Sequence, residues 1–152
     1  MSGYNLKEVK RDRESWGKSA STYDKWYEAF EGAVGTFVDL ALLNRYLPEN
    51  KNAKILDAAG GTGRITLPLA KMGYSVTLCD ISPGMLAVAK EKMLREEVQD
   101  KVDMLECDIR DLTFPDEIFD FVLCWDGAMD AARELIRVTK KGGRISVFLV
   151  NK

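Results

Sequence analysis

The chain has 152 residues, 46% hydrophobic and 30% charged, which is the size and composition of a single globular domain. Its 22 Lys and Arg face 24 Asp and Glu, so it lacks the basic excess with which nucleic-acid binders and anionic-membrane binders neutralise phosphates. No stretch approaches the ~20 apolar residues of a membrane span, and the first residues contain no signal-peptide-like run, so we expect a cytoplasmic protein without a nucleic-acid or membrane partner.

The first third of the chain is predicted to be helical after a charged start. Residues 1–15 are rich in Lys, Arg, Asp and Glu and are expected to form a poorly ordered tail, with a single domain over residues 16–152. Apolar residues then recur at helical spacing from Ala20 to Phe30 and from Thr36 to Tyr46. Pro48 and the polar residues after it end this region.

From residue 53 onward, short apolar runs alternate with helical segments. The runs predicted as strands are Ala53 to Ala58, Ser75 to Asp80, Val102 to Glu106, Phe119 to Trp125 and Arg144 to Val150. The segments predicted as helices are Ile65 to Met72, Pro83 to Glu97 and Ala128 to Val138, and residues 107–118 show no helical pattern. Strands separated by helices imply right-handed crossovers, so the predicted fold class is α/β, a doubly wound parallel sheet of five strands with N-terminal helices.

Histidine and cysteine usage narrows the chemistry. Histidine is absent, which removes Ser-His and Cys-His nucleophile systems and most zinc sites. The three cysteines, Cys79, Cys107 and Cys124, are odd in number and lack CxxC spacing, which argues against a disulfide framework and a metal knuckle. We therefore predict no metal site.

A glycine cluster lies between the first predicted strand and the next helix. Gly60, Gly61 and Gly63 exceed what a plain turn needs, and they let a ligand approach the main chain beside a helix N-terminus. The dinucleotide-binding pattern G-x-G-x-x-G, started at Gly61, would require a glycine at position 66, where the chain has Thr66. The phosphate-binding loop G-x-x-x-x-G-K-[ST] is also excluded, because no Gly-Lys-Ser/Thr follows. A nicotinamide-dependent oxidoreductase is therefore the minor alternative.

Three strand-end segments together resemble one family. Asp57-x-Ala59-x-Gly61-x-Gly63 resembles the first motif of the class I, Rossmann-like S-adenosylmethionine-dependent methyltransferases. Residues 78–86 resemble its second motif, in which the acid ending the second strand binds the ribose hydroxyls. Residues 107–112 resemble the third, in which an acid meets the adenine amino group and the next residue lies against the ring. Residues 19–27 are similar to the segment before the core in small-molecule methyltransferases of the ubiquinone-biosynthesis type.

The resemblance carries its own expectations. It implies the strand order 3-2-1-4-5, S-adenosylmethionine as the cofactor and a small molecule as the methyl acceptor. It implies a cofactor site made of Tyr23, Asp57, Ala59, Gly61, Gly63, Asp80, Ile81, Asp108, Ile109 and Trp125. The catalytic residues stay unknown, and Tyr23 and Asp126 are candidates for a base by position only.

Two features depart from the family's pattern. Ala59 stands where glycine is usual, so its methyl group either crowds the methionine part of the cofactor or requires a slightly different turn. The family's sheet continues to a sixth and a seventh strand, whereas this sequence reaches Lys152 just after the fifth. The alternative to methyl transfer is therefore a core that binds S-adenosylmethionine or S-adenosylhomocysteine without turnover.

The two ends of the chain carry further expectations. Aromatic residues such as Trp16, Trp26 and Phe30 predict that the N-terminal segment is either a lid over the site or a helix packed permanently on the core. The fifth strand would be an apolar sheet edge. Unless the missing strands are supplied in trans or the N-terminal helices fold across this edge, we expect self-association through it, as a homodimer or a swapped pair, or else marginal solubility.

Overall fold

The computed structural model describes residues 6–125 and 129–148. Its centre is a sheet of five strands: β1 (Lys54–Ala58), β2 (Ser75–Asp80), β3 (Val102–Glu106), β4 (Phe119–Trp125) and β5 (Thr139–Phe148). The strand order is β3-β2-β1-β4-β5, and every neighbouring pair is parallel. The predicted α/β fold class and strand order are thereby confirmed.

Helices precede the sheet and connect its strands. They are α1 (Leu6–Glu28), α2 (Phe30–Asn44), α3 (Thr66–Lys71), α4 (Pro83–Arg95) and α5 (Ala132–Val138), with short 3-10 turns at Gln99–Lys101 and Met129–Ala131. Ser82 caps α4 by accepting a hydrogen bond at Oγ from the Met85 amide, and Pro83 occupies the first helical turn, as its position in the sequence predicts. Residues 107–118 form turns and irregular structure, also as predicted.

The charged N-terminal segment differs from its prediction. α1 begins at Leu6, so residues 6–15 are helical where the sequence predicts a poorly ordered tail. Lys, Arg and Glu favour helices, and Lys10 lies 4.0 Å from Glu14 one turn away. Arg13 also ties the helix to β3, because its Nη2 lies 2.6 Å from Oε1 of Glu106.

The sheet has an apolar layer on each face. In β1, Ile55 and Leu56 point to opposite sides because successive side chains alternate along a strand. Ile55 packs in a cluster with Leu43 of α2, and Leu56 packs in a second cluster with Leu135 of α5. Both side chains are at most 1% exposed, because the sheet is covered on both faces at β1.

β5 is the most irregular strand. Phe119 pairs with Thr139 and Phe121 pairs with Arg144, so residues 140–143 bulge from the ladder, with Gly142 at φ 78°. The sequence predicts a helix-to-strand turn at Gly142-Gly143 and a strand from Arg144, whereas the paired strand begins at Thr139. Leu149 and Val150, the last two residues of that prediction, lie outside the described residues.

Candidate functional site

A cavity lies at the carboxyl ends of the strands, where parallel α/β sheets bind ligands. Of the ten residues proposed for the site from the sequence, eight line it: Tyr23, Ala59, Gly61, Asp80, Ile81, Asp108, Ile109 and Trp125. The strands therefore bring together residues that are up to 102 positions apart, from Tyr23 to Trp125. Asp57 and Gly63 do not line the cavity.

The floor of the cavity is the turn formed by residues 59–63, which we call the glycine turn. Ala59, Gly61 and Gly63 have φ angles of 61°, 56° and 76°, so three of its five residues adopt left-handed conformations. Gly60 anchors the turn by donating its amide to the Cys79 carbonyl at 3.2 Å. Ala59 keeps the left-handed geometry that its position demands, although it has a side chain.

Asp57 lies beneath the glycine turn. Its carboxylate is 3% exposed, and Oδ2 accepts a 2.6 Å hydrogen bond from Oγ1 of Thr66 at the start of α3. Burial raises the pKa of Asp57 to about 6, against the opposing effects of the Thr66 hydrogen bond and the nearby Arg64 charge. A Cβ on Gly60 would lie 2.8 Å from the Asp57 carboxyl carbon, so Asp57 shapes the turn by packing under it.

Gly63 serves packing as well. A Cβ at this position would lie 2.6 Å from Cε of Met93, so the missing side chain lets the turn lie directly on α4. Asp57 and Gly63 therefore contribute to the cavity by holding the backbone of the glycine turn.

Asp80 is the polar centre of the cavity. It ends β2, is 7% exposed, and accepts hydrogen bonds at Oδ2 from the Gly61 amide (2.9 Å) and at Oδ1 from the Ser82 amide (2.8 Å). Burial raises the pKa of this carboxyl, and the backbone hydrogen bonds oppose the rise. The backbone amides of Gly61, Ser82 and Ile81 thus hold this carboxylate at the cavity, and a carboxylate can accept hydrogen bonds from a pair of adjacent hydroxyl groups.

A second carboxylate, Asp108, lies after β3 and is held by Arg110. Oδ1 accepts from both the amide and Nε of Arg110 at 3.0 and 2.8 Å, and Oδ2 accepts from Nη2 at 2.6 Å. Burial alone would raise the pKa of Asp108, but these hydrogen bonds outweigh it and keep the pKa below its usual range. Oδ2 therefore retains one acceptor position, and the apolar side chain of Ile109 follows directly.

The cysteines near these acids differ from the sequence expectation. The structure joins Cys79 and Cys107 as a disulfide, with Cα atoms 5.8 Å apart. The odd count and missing CxxC spacing carry no information on this pair, because the pairing of β2 with β3 brings the ends of the two strands together. Cys124 is free and buried.

α1 forms one wall of the cavity. Trp16 and Tyr23 line it and contact each other edge to face, with ring centroids 6.4 Å apart. Trp26 and Phe30 are 60% and 84% exposed and point elsewhere, so the aromatic segment is only partly a cover for the site. Asp126, the other candidate base, lies outside the described residues.

Five lining residues were not proposed from the sequence: Asp12, Trp16, Met85, Cys107 and Arg110. Met85, Cys107 and Arg110 belong to the second and third motif segments, so their neighbours in the sequence were the available signal. Asp12 gives no signal, because residues 1–15 were expected to lie outside the domain.

The described residues, 6–125 and 129–148, contain no helix long and apolar enough to cross a membrane. Within the same ranges, no three His, Cys, Asp or Glu side chains are grouped so that they could hold a metal ion.

Comparison with known proteins identifies similar sequences and folds. A family described as a methyltransferase domain matches residues 55–143. The ubiquinone/menaquinone biosynthesis C-methyltransferase UbiE of Pectobacterium atrosepticum is 34% identical over 111 residues, which cover 67% of this chain and 44% of that protein. The UbiE of a Bradyrhizobium species is 35% identical over 136 residues, which cover 82% of this chain and 54% of that protein. This chain thus spans about half the length of these curated relatives.

A solved structure from Methanococcus maripaludis has a similar fold. It superposes with a TM-score of 0.73 at 20% identity, covering 86% of this chain and 62% of that one. At this identity the likeness concerns the fold alone.

Proposed function

Since the chain belongs to the methyltransferase domain family, we propose that it binds S-adenosylmethionine in the cavity and transfers the cofactor's methyl group to a small-molecule acceptor. S-adenosylmethionine is the cofactor that membership of this family implies. The observation that carries the proposal is Asp80, a buried carboxylate at the end of β2 that lines the cavity and is held there by backbone amides.

The donor set of the cavity fits a nucleoside. Asp80 would accept hydrogen bonds from the two ribose hydroxyls, since a carboxylate can accept two in parallel. Ile81 and Ile109 offer apolar surface for a flat ring, and Oδ2 of Asp108 can accept a hydrogen bond from an exocyclic amino group. The glycine turn would then face the amino-acid end of the cofactor, with Asp57 and Gly63 acting from beneath it.

In methyl transfer of this kind, the main contribution of the protein is to position the cofactor and the acceptor. When bound, the cofactor supplies a methyl group on a positively charged sulfur, which an acceptor displaces in line. The chain's residues hold the nucleoside, and Trp16, Tyr23 and Trp125 would exclude water from the reacting side of the cavity. Such a displacement requires no histidine, in keeping with the composition of the chain.

Binding of S-adenosylhomocysteine, measured by calorimetry, tests the proposal. Asp80→Ala removes charge-assisted hydrogen bonds worth roughly 1.5–3 kcal/mol, so the affinity should fall about tenfold or more. Asp100→Ala changes an exposed aspartate outside the cavity and should bind as the wild type does. Equal binding by wild type and Asp80→Ala would contradict this use of Asp80.

A core that binds the cofactor without turnover is not favoured, given the family match. An assay that follows formation of S-adenosylhomocysteine with a panel of small acceptors separates the two functions. Protein that binds S-adenosylhomocysteine but never forms it from S-adenosylmethionine would favour the binding core.

The setting of the activity is part of the proposal. We place the protein in the cytoplasm, acting without a nucleic-acid or membrane partner, because its charge balance offers little attraction for phosphates. We also propose a homodimer through the β5 edge, where Ile145, Val147 and Phe148 are 38–48% exposed.

A further inference from the structure

α1 reaches across the cavity between two attachment points. At the first, Gly17 of α1 lies against Gly84 at the start of α4. A Cβ on Gly84 would be 3.0 Å from Cα of Gly17, so the two backbones come this close because Gly84 lacks a side chain. This crossing fixes where α1 passes over α4.

The second attachment point is Asp24, seven residues further along α1. Its Oδ1 accepts a 2.6 Å hydrogen bond from Oγ1 of Thr62, and its Oδ2 lies 2.7 Å from Nζ of Lys92. Thr62 belongs to the glycine turn and is fully buried, whereas Lys92 belongs to α4. One carboxylate therefore connects three segments of the chain.

This ion pair is well shielded from water. The side chains of Lys92 and Asp24 are only 13% and 19% exposed, whereas those of Arg13 and Glu106, which also tie α1 to the core, are 49% and 42% exposed. Exposed ion pairs contribute little to stability. Removing one partner of a shielded pair costs more, because the other charge is left without a partner away from water. Asp24 is thus the stronger polar anchor of the two.

The part of α1 that carries the two anchors also forms a wall of the cavity. Trp16 and Tyr23 line the cavity, and Ala20 between them is 4% exposed against the core. Asp24 itself does not line the cavity, but it follows Tyr23 directly and binds the residue that follows Gly61.

We propose that Asp24 is a positioning residue that locks α1 to the glycine turn, so that Tyr23 and Gly61 face a bound S-adenosyl ligand in fixed geometry. The inference rests on the proposed function. Asp24 acts through Tyr23 and Thr62, and it touches neither the ligand nor the reacting atoms.

Two matched sets of variants test the lock. Thr62→Val removes the donor with little change of shape, whereas Thr62→Ser keeps a hydroxyl at the same place. Asp24→Ala removes both contacts of the carboxylate, and Lys92→Met removes only the ion pair. Arg13→Ala breaks the exposed contact of α1 with β3 and serves as the control.

We expect Asp24→Ala and Thr62→Val to weaken S-adenosylhomocysteine binding on the order of tenfold, and Thr62→Ser to bind more tightly than Thr62→Val. The double variant Asp24→Ala/Thr62→Val should lose less binding free energy than the sum of the losses in the two single variants, because both substitutions remove the same contact. Hydrogen exchange over residues 16–23 should accelerate in Asp24→Ala without ligand, and Arg13→Ala should leave binding unchanged.

The outcomes separate this inference from the proposed function. If the wild type fails to bind S-adenosylhomocysteine, the proposed function fails, and hydrogen exchange of the unliganded variants still tests the lock. If the wild type binds and folded Thr62→Val binds equally well, with unchanged exchange over residues 16–23, Asp24 has no positioning role.

Discussion

Ala59 holds a backbone conformation that glycine adopts more easily. A left-handed residue with a Cβ costs roughly 1–2 kcal/mol, and glycine itself costs roughly 0.5–1 kcal/mol in lost chain entropy. At a φ of 61°, Ala59→Gly should therefore raise the free energy of unfolding by about 0.5 kcal/mol in urea denaturation. Ala58, fully buried in β1, is the matched control, and Ala58→Gly should lower it by about 1 kcal/mol or more. A clear loss of stability in Ala59→Gly would show that the methyl contacts outweigh the backbone cost.

Asp57 should make the stability of the fold depend on pH. Burial raises its pKa to about 6 from the ordinary 3.8, so the folded protein holds this proton more tightly than the unfolded chain does. The resulting stabilisation is complete below about pH 4 and is lost as the pH rises through about 6, a loss of roughly 3 kcal/mol. The difference in unfolding free energy between wild type and Asp57→Asn should fall accordingly from pH 4 to pH 7.5. A constant difference over this range would contradict the raised pKa.

The sequence identifies the acidic residues and glycines of the site, but it does not show which of them line the cavity and which support the turn from beneath. Asp57 and Asp80 both end buried strands, and only the folded turn shows that one lies beneath it and the other beside the cavity. The Asp24–Thr62 contact joins residues 38 positions apart, and no local pattern marks such a pair.

At the scale of elements, Arg137 of α5 fastens the irregular connection between β3 and β4. Its Nη2 donates to the Leu112 carbonyl and its Nη1 to the Phe114 carbonyl, each at 2.7 Å, while Glu134 pairs with the same guanidinium. Arg137→Met should lower the free energy of unfolding by roughly 2–3 kcal/mol, because two carbonyls and the carboxylates of Glu134 and Asp116 lose their donor. Arg133→Met, an exposed change on the same helix, should stay within about 0.5 kcal/mol. Similar stabilities for the two variants would mean that water replaces Arg137 without loss.

α1 is expected to respond to ligand as a lid. Trp16 and Tyr23 lie at the cavity, so a bound ligand would add contacts to this helix. Hydrogen exchange over residues 15–28 should slow when S-adenosylhomocysteine is added. Equal protection with and without ligand would identify α1 as a permanently packed helix.

The five strands and the helices between them could be predicted because short apolar runs alternate with segments of helical spacing along the sequence. Two boundaries could not. The start of α1 lies in a charged segment without an apolar pattern, where helix propensity competes with disorder, and the bulge of β5 depends on its register with β4.

For the whole molecule, we predict that the chain associates through the β5 edge of the sheet. β5 ends the strand order, with Val147 and Phe148 nearly half exposed, and edges of this kind pair readily with other chains. Although Arg144 donates to the Tyr46 carbonyl at the end of α2, the later residues of β5 remain exposed. Sedimentation should therefore show a dimer for the wild type and a monomer for Phe148→Lys.

Phe30→Lys is the control for non-specific apolar association, because Phe30 is 84% exposed and belongs to α2 instead of β5. A wild type that stays monomeric at high concentration, or a dimer lost equally in Phe30→Lys, would refute association through β5.

The side chain of Trp125 belongs to both the cavity and the edge. It lines the cavity, donates from Nε1 to Oγ of Ser146 at 3.1 Å, and lies 6.0 Å from the ring of Phe148. A second chain paired with β5 and a molecule in the cavity would therefore act on one shared indole. Thermodynamic reciprocity then requires that, if dimerisation changes ligand affinity, ligand changes the dimerisation constant by the same factor. The concentration of the protein itself would act as an effector of its own binding site.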